Sequence, residues 1–136
     1  MSDRFGIALV GIGPGAVPHL QSLFDLRGTV ELRHVVTRRP ALAKLGPFQG
    51  LLSPSADLQA ALADPLVQAV IVATPPASHL ELATQVLAAG KHLLLEKPLD
   101  ISLTRAQGIV DLARTSDRRL GVVLQHRFRP GALALQ

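Results

Sequence analysis

Phe5-Gly6-Ile7-Ala8-Leu9-Val10-Gly11-Ile12-Gly13-Pro14-Gly15-Ala16 runs from an apolar hexamer straight into a glycine-rich turn. The hexamer reads as a buried strand. The residues after it, about Ala16 to Leu26, carry Val17, Leu20, Leu23 and Phe24 at helical spacing. Pro18 falls in the first turn of that helix, where a missing N–H costs nothing, and Gly28 closes it. A strand, a tight turn and a helix, with a second apolar run following, is the start of a β-α-β unit.

The same alternation continues outward. Val30–Val36, Ala69–Ala73, His92–Leu95 and Leu120–Leu124 read as further strands, and Phe48–Leu52 as a weak additional one. Short helices are expected over Ala41–Leu45 and Ser55–Ala63, the latter stopped by Asp64-Pro65. Ser78 and Glu81 stand in capping-box spacing at the head of a helix running to Ala89 and ended by Gly90. A last helix, Leu103 to about Arg114, is expected to bury Leu103, Ala106, Val110 and Ala113. Ala69–Ala73 and Leu93–Leu95 are apolar without alternation, as in parallel strands covered on both faces. The expected fold is α/β: a doubly wound parallel sheet in three layers, α-β-α.

Composition narrows the function classes. The 136 residues, 48% hydrophobic and 18% charged, suit one domain. Cysteine is absent, which removes disulfides, thiolate metal sites and cysteine nucleophiles, and no metal site is expected. No apolar run approaches the roughly 18 residues of a membrane span, and the N-terminus shows no signal-peptide pattern, so a cytoplasmic protein without a membrane partner is expected. The net charge of +4 comes from scattered arginines, with no Trp or Tyr to stack on bases, so nucleic acid is not an expected partner.

Gly11, Gly13 and Ala16 fill the three key positions of a dinucleotide fingerprint. Gly11 permits the turn, Gly13 lets the backbone approach a pyrophosphate, and the small Ala16 lets the helix pack on the strand. The helix N-terminus then offers N–H groups to the phosphates. Ile12, Pro14 and Gly15 complete the loop. The strand ending Val36-Thr37-Arg38-Arg39 carries no acid for a ribose 2′-hydroxyl. Thr37 can donate a hydrogen bond and Arg38 or Arg39 can pair with a 2′-phosphate, which favours NADP; NAD held through Thr37 alone is the alternative.

Two further strand ends carry chemistry. Ala73-Thr74-Pro75-Pro76 opens the loop after one strand, with His79 in the next helical turn, either structural or touching the cofactor. Glu96-Lys97-Pro98 follows the strand His92–Leu95. A lysine there can hydrogen-bond a substrate hydroxyl and stabilise its oxygen as hydride leaves. Glu96 could hold that lysine or a ribose hydroxyl.

These motifs, with Ala89-Gly90-Lys91-His92 and Gln125-His126-Arg127-Phe128-Arg129-Pro130, resemble the glucose-fructose oxidoreductase and inositol dehydrogenase family (Gfo/Idh/MocA) over nearly the whole chain. The resemblance implies an N-terminal Rossmann domain over residues 1–125 that binds NADP or NAD, and residues 126–136 opening a segment toward a second domain not present here. It implies Lys97 as the catalytic residue beside nicotinamide and substrate, Glu96 at the nicotinamide ribose, Thr74 to Pro76 lining the cleft, and Gln125 and Arg127 near the nicotinamide. The substrate class implied is a sugar, cyclitol or related polyol, oxidised at a CH–OH group. Alone, the domain is expected to turn over little, and the surface facing a second domain is expected to favour a homo-oligomer. A dinucleotide-binding regulatory or sensor module without catalysis is the alternative.

Overall fold

The computed structural model describes residues 3–136. Its centre is a five-stranded sheet, β1 (Phe5–Val10), β2 (Val30–Val36), β3 (Val67–Val72), β4 (His92–Leu95) and β5 (Leu120–Val122), in the order β2-β1-β3-β4-β5 with every pairing parallel. Parallel neighbours need crossover connections, and helices supply them: α1 (Val17–Asp25), α2 (Leu58–Ala63), α3 (His79–Ala88) and α4 (Leu103–Thr115), with a short α5 (Pro130–Leu133) at the end. The chain leaves β1 toward β2 on one side and returns to β3 on the other, so the strand order reverses between β1 and β3.

Side-chain alternation along the central strands feeds two cores. Ala8, Val10, Val70, Val72, Leu93 and Leu95 pack with Ala83, Val86 and Ile109 of α3 and α4. Ile7, Leu9, Leu32, Val35 and Ile71 pack with Leu20 and Leu23 of α1 and with Phe48. Leu94 of β4 packs at the margin of this second core. A shallow depression of about 590 Å³, lined by Phe5, Ala69, His92, Leu94 and Gly121 among others, adjoins it.

Several local expectations give way to tertiary contacts. Phe48–Leu52 is not a strand: Gly46–Phe48 is a 3-10 turn whose Phe48 ring meets Phe24 edge-on, and only an isolated bridge joins Gln49 to Leu52. The helix expected at Ala41–Leu45 is a 3-10 turn at Pro40–Leu42, and α2 starts later than Ser55, capped by Asp57, whose carboxylate accepts the Ala60 N–H at 3.0 Å. A 3-10 turn over Pro14–Ala16 precedes α1, and Val17 lies on its exposed side. In α4 the buried residue is Ile109, while Leu103 is 85% exposed.

The capping box at α3 does not form. The Ser78 hydroxyl donates to the Pro75 carbonyl at 2.8 Å, and Glu81 pairs with Arg105 at 2.6 Å. The Leu80 N–H is accepted by the buried Asp100 carboxylate at 3.1 Å, from the loop before α4. Asp100 also takes the Arg105 Nε–H at 2.7 Å and the Ile101 N–H at 2.6 Å. At the opposite edge of the sheet, Asp64 Oδ2 contacts Arg33 Nε and His34 Nε2, each at 2.9 Å, and the Asp64 carbonyl accepts from Lys91 Nζ at 2.9 Å.

Candidate functional site

Register brings the sequence-predicted residues to one edge. Val36, Val10, Val72, Leu95 and Val122 form one row across the five strands. The ladder runs one residue further. Gly11 N–H donates to Val36, Ala73 N–H to Val10, Glu96 N–H to Val72 and Val123 N–H to Leu95, at 2.8 to 3.0 Å. Thr37, Gly11, Ala73, Glu96 and Val123 therefore stand side by side at the carboxyl ends of the strands, where open α/β sheets bind ligands. Gly11 and Glu96 are two strand spacings apart, roughly 10 Å.

Gly11 sits where the strand order reverses. Its φ of +93° is a conformation that L side chains rarely adopt, and a Cβ there would lie 2.8 Å from Thr74 Cγ2. The loop beyond it is open. A Cβ on Gly13 or Gly15 would meet nothing within 4 Å. Among the described residues, the N–H groups of Ile12, Gly13 and Gly15 have no acceptor; Ala16 N–H turns back to Gly13 at 3.0 Å. Ala16 is fully buried, which brings α1 down onto β1. Unpaired N–H groups at a helix start beside empty space fit a pyrophosphate in chemistry and in room.

On the β2 side, Thr37 is half-buried and its hydroxyl accepts the Arg39 N–H in a long bond of 3.5 Å. The Arg38 and Arg39 side chains are exposed, and among the described residues nothing pairs with either guanidinium. On the β3 side, Thr74 and Ser78 share a 2.6 Å hydroxyl contact, and Pro75 and Pro76 stiffen the loop. His79 does not line the cleft. It is fully buried, with Nδ1 3.0 Å from the Leu99 carbonyl oxygen and Nε2 3.0 Å from that of Thr74, so its ring ties the loop after β3 to the loop after β4.

Beyond β4 the pair Glu96–Lys97 is not a salt bridge. Glu96 Oε1 lies 2.7 Å from His19 Nε2, and Oε2 accepts the Lys97 backbone N–H at 3.3 Å. The Lys97 side chain is exposed, and its ammonium has no partner among the described residues. His19 is the residue that sequence reading missed as part of this edge. Its signal is faint: it lies three residues after Ala16, within the first turn of the helix that starts at the carboxyl edge. Gln125 and Arg127 sit in an exposed 3-10 turn just past β5. Among the described residues no cluster of acids and histidines could hold a metal, and no helix is long and apolar enough to cross a membrane.

Residues 5–124 match a family described as an oxidoreductase family with an NAD-binding Rossmann fold. The chain belongs to that family. Among the relatives of this oxidoreductase domain is an uncharacterized oxidoreductase of Synechocystis, 30% identical over 129 residues, covering 95% of this chain and 35% of the relative. Human biliverdin reductase A is 33% identical over 125 residues, covering 86% of this chain and 38% of the enzyme. The crystal structure of the WlbA dehydrogenase from Bordetella pertussis, in complex with NADH and UDP-GlcNAcA, superposes with a TM-score of 0.86 at 25% identity, covering 97% of this chain and 40% of that one. The domain thus spans well under half the length of these relatives.

Proposed function

We propose that this chain is the cofactor-binding part of an oxidoreductase that moves a hydride between a nicotinamide dinucleotide and a CH–OH carbon of a sugar, cyclitol or related polyol. One observation carries the reading: an open glycine loop with unpaired N–H groups and an unpaired lysine ammonium share a single edge of the sheet, two strands apart.

Gly11 to Ala16 receive the pyrophosphate. Thr37, Arg38 and Arg39 take the adenosine ribose, and the two unpaired guanidinium groups favour a 2′-phosphate, hence NADP over NAD. Ala73 to Pro76 and Glu96 would hold the other half of the dinucleotide, and Gln125 and Arg127 would stand near its nicotinamide. The bound nicotinamide supplies the hydride acceptor or donor. Lys97 Nζ handles the substrate oxygen's proton. As the neutral amine it takes the hydroxyl proton while the C–H hydride leaves for the nicotinamide. In the reverse direction the ammonium hydrogen-bonds and then protonates the carbonyl oxygen on which negative charge grows as hydride adds to the carbon. The polyol class rests on the family resemblance and on the UDP-GlcNAcA in the WlbA complex. Residues 126–136 open the segment toward further substrate contacts. Turnover by these residues alone is slight, because near-attack geometry needs the substrate held as well.

Titration with NADPH and NADH, followed through reduced-nicotinamide fluorescence, tests the reading; the chain contains no Trp to interfere. Saturable binding with NADPH the tighter ligand is expected. No saturable binding of either up to millimolar concentration would overturn it.

A further inference from the structure

We propose that His19 is a positioning residue: its imidazole holds the Glu96 carboxylate, and with it the strand end bearing Lys97, against the first turn of α1. The inference rests on the dinucleotide reading above and adds a residue that the reading does not use.

His19 and Glu96 are 77 positions apart and meet at 2.7 Å. Their side chains are only 13% and 19% exposed, so solvent competes weakly for the contact. Helical side chains tilt toward the helix N-terminus, so a residue in the first turn of α1 reaches back to the carboxyl edge. The second Glu96 oxygen takes the Lys97 N–H at 3.3 Å. Both oxygens are thus engaged, and the remaining lone pairs keep a fixed direction. Without the imidazole, Glu96 is free to swing toward the unpaired Lys97 ammonium and occupy it. With Thr37, Arg38 and Arg39 holding the adenosine ribose beside β2, the groups at the ends of β3 and β4 would hold the nicotinamide half, so His19 would act on that half alone.

The test compares NADH with ADP, and NADPH with 2′-phospho-ADP, on this chain. His19→Ala is expected to weaken both dinucleotides about tenfold, the loss of one hydrogen bond to a charged group, while ADP and 2′-phospho-ADP stay within about twofold. His19→Gln, which can still reach Glu96, regains most of the loss. His19→Ala added to Glu96→Ala costs little more, because the imidazole acts through the carboxylate. If His19→Ala does not fold, His19→Asn, polar but too short, takes its place. Equal loss of ADP and NADH, no loss of NADH, or additive effects in the double variant would each overturn the inference and leave the dinucleotide reading standing. Failure of the unsubstituted chain to bind either NADPH or NADH overturns both.

Discussion

Gly11 lies so close to Ala73 that a Cβ on residue 11 would stand 2.9 Å from the Ala73 carbonyl oxygen. Gly13, two residues on, has extended backbone (φ −85°, ψ −172°) and open space where its Cβ would be. The two glycines therefore answer to different demands. Gly11→Ala is expected to cost about 3 kcal/mol of folding stability, from a positive φ and a backbone clash together. Gly13→Val is expected to leave stability within about 0.5 kcal/mol, yet to weaken NADPH at least tenfold by filling the space above the loop. Urea unfolding and fluorescence titration of both variants check this.

Arg38 and Arg39 are exposed and without partners among the described residues, so removing them disturbs no internal contact. The double change to alanine is expected to weaken NADPH by about tenfold or more and NADH by less than about twofold, since only the former offers a 2′-phosphate. The NADPH preference should also shrink with added salt, because exposed charges are screened. Titrations of both ligands at low and high ionic strength read both effects.

Asp100 is the cap that α3 lacks locally, and its carboxylate is fully buried. Replacing it with alanine strips acceptors from the Leu80 and Ile101 N–H groups and from Arg105. A loss of about 3 kcal/mol is expected in urea unfolding. Arg105 also holds Glu81 and the Ala77 carbonyl, so Arg105→Ala should loosen the same helix start.

Acid sensitivity follows from Asp64. Burial pushes its carboxyl up, but His34, the Leu66 N–H and Arg33 outweigh this and hold it at about 2, below the usual 3.8. The unfolded chain therefore takes up its proton first as pH falls. The stabilisation is complete above about pH 4 and is lost as pH drops toward 2. Asp100 and Glu81 are also held below the usual carboxylate range. For Asp100, burial opposes and Arg105 prevails; for Glu81, Arg105 dominates. Asp64→Asn should lower stability at neutral pH and flatten the acid limb of a stability–pH curve.

Lys97 is exposed and its ammonium touches nothing else described. Lys97→Ala in this chain is expected to leave stability unchanged and NADPH affinity within about threefold, one weak surface contact at most. In a full-length relative, the matching lysine-to-alanine change should lower kcat by about a hundredfold or more, the scale of a lost proton-handling group. Loss of binding in place of turnover would assign the lysine to the cofactor alone.

The parallel sheet was legible because Phe5–Val10, Ala69–Ala73 and Leu93–Leu95 are apolar without alternation, as in strands covered on both faces. Local pattern failed where a distant partner decides. Ser78 and Glu81 match a capping box, but Pro75 and Arg105 bind them more favourably. In α4, Ala106, Val110 and Ala113 are half-buried and Ile109, flanking their stripe, is fully buried, while Leu103 at the head of the stripe is exposed; the position of the sheet sets how far along the helix burial reaches. The site was legible at Gly11 to Ala16 and at Lys97, where residue type alone announces the chemistry. The burial of His79 and the bond from His19 to Glu96 were not, since each joins segments that are remote along the chain.

The two register irregularities of β1 fall between Gly6 and Ala8, and from Ala8 upward its neighbours on both sides run in step. Slack in strand length is absorbed at the amino end of the sheet, where Arg33 and Gln68 are the supernumerary residues. Inserting or deleting one residue near that end should be forgiven, whereas the same edit beside Val10, Val72 or Leu95 would push one ligand-facing group out of line with the others. Engineering of loop length or strand length in this domain therefore has a safe pole and a forbidden one.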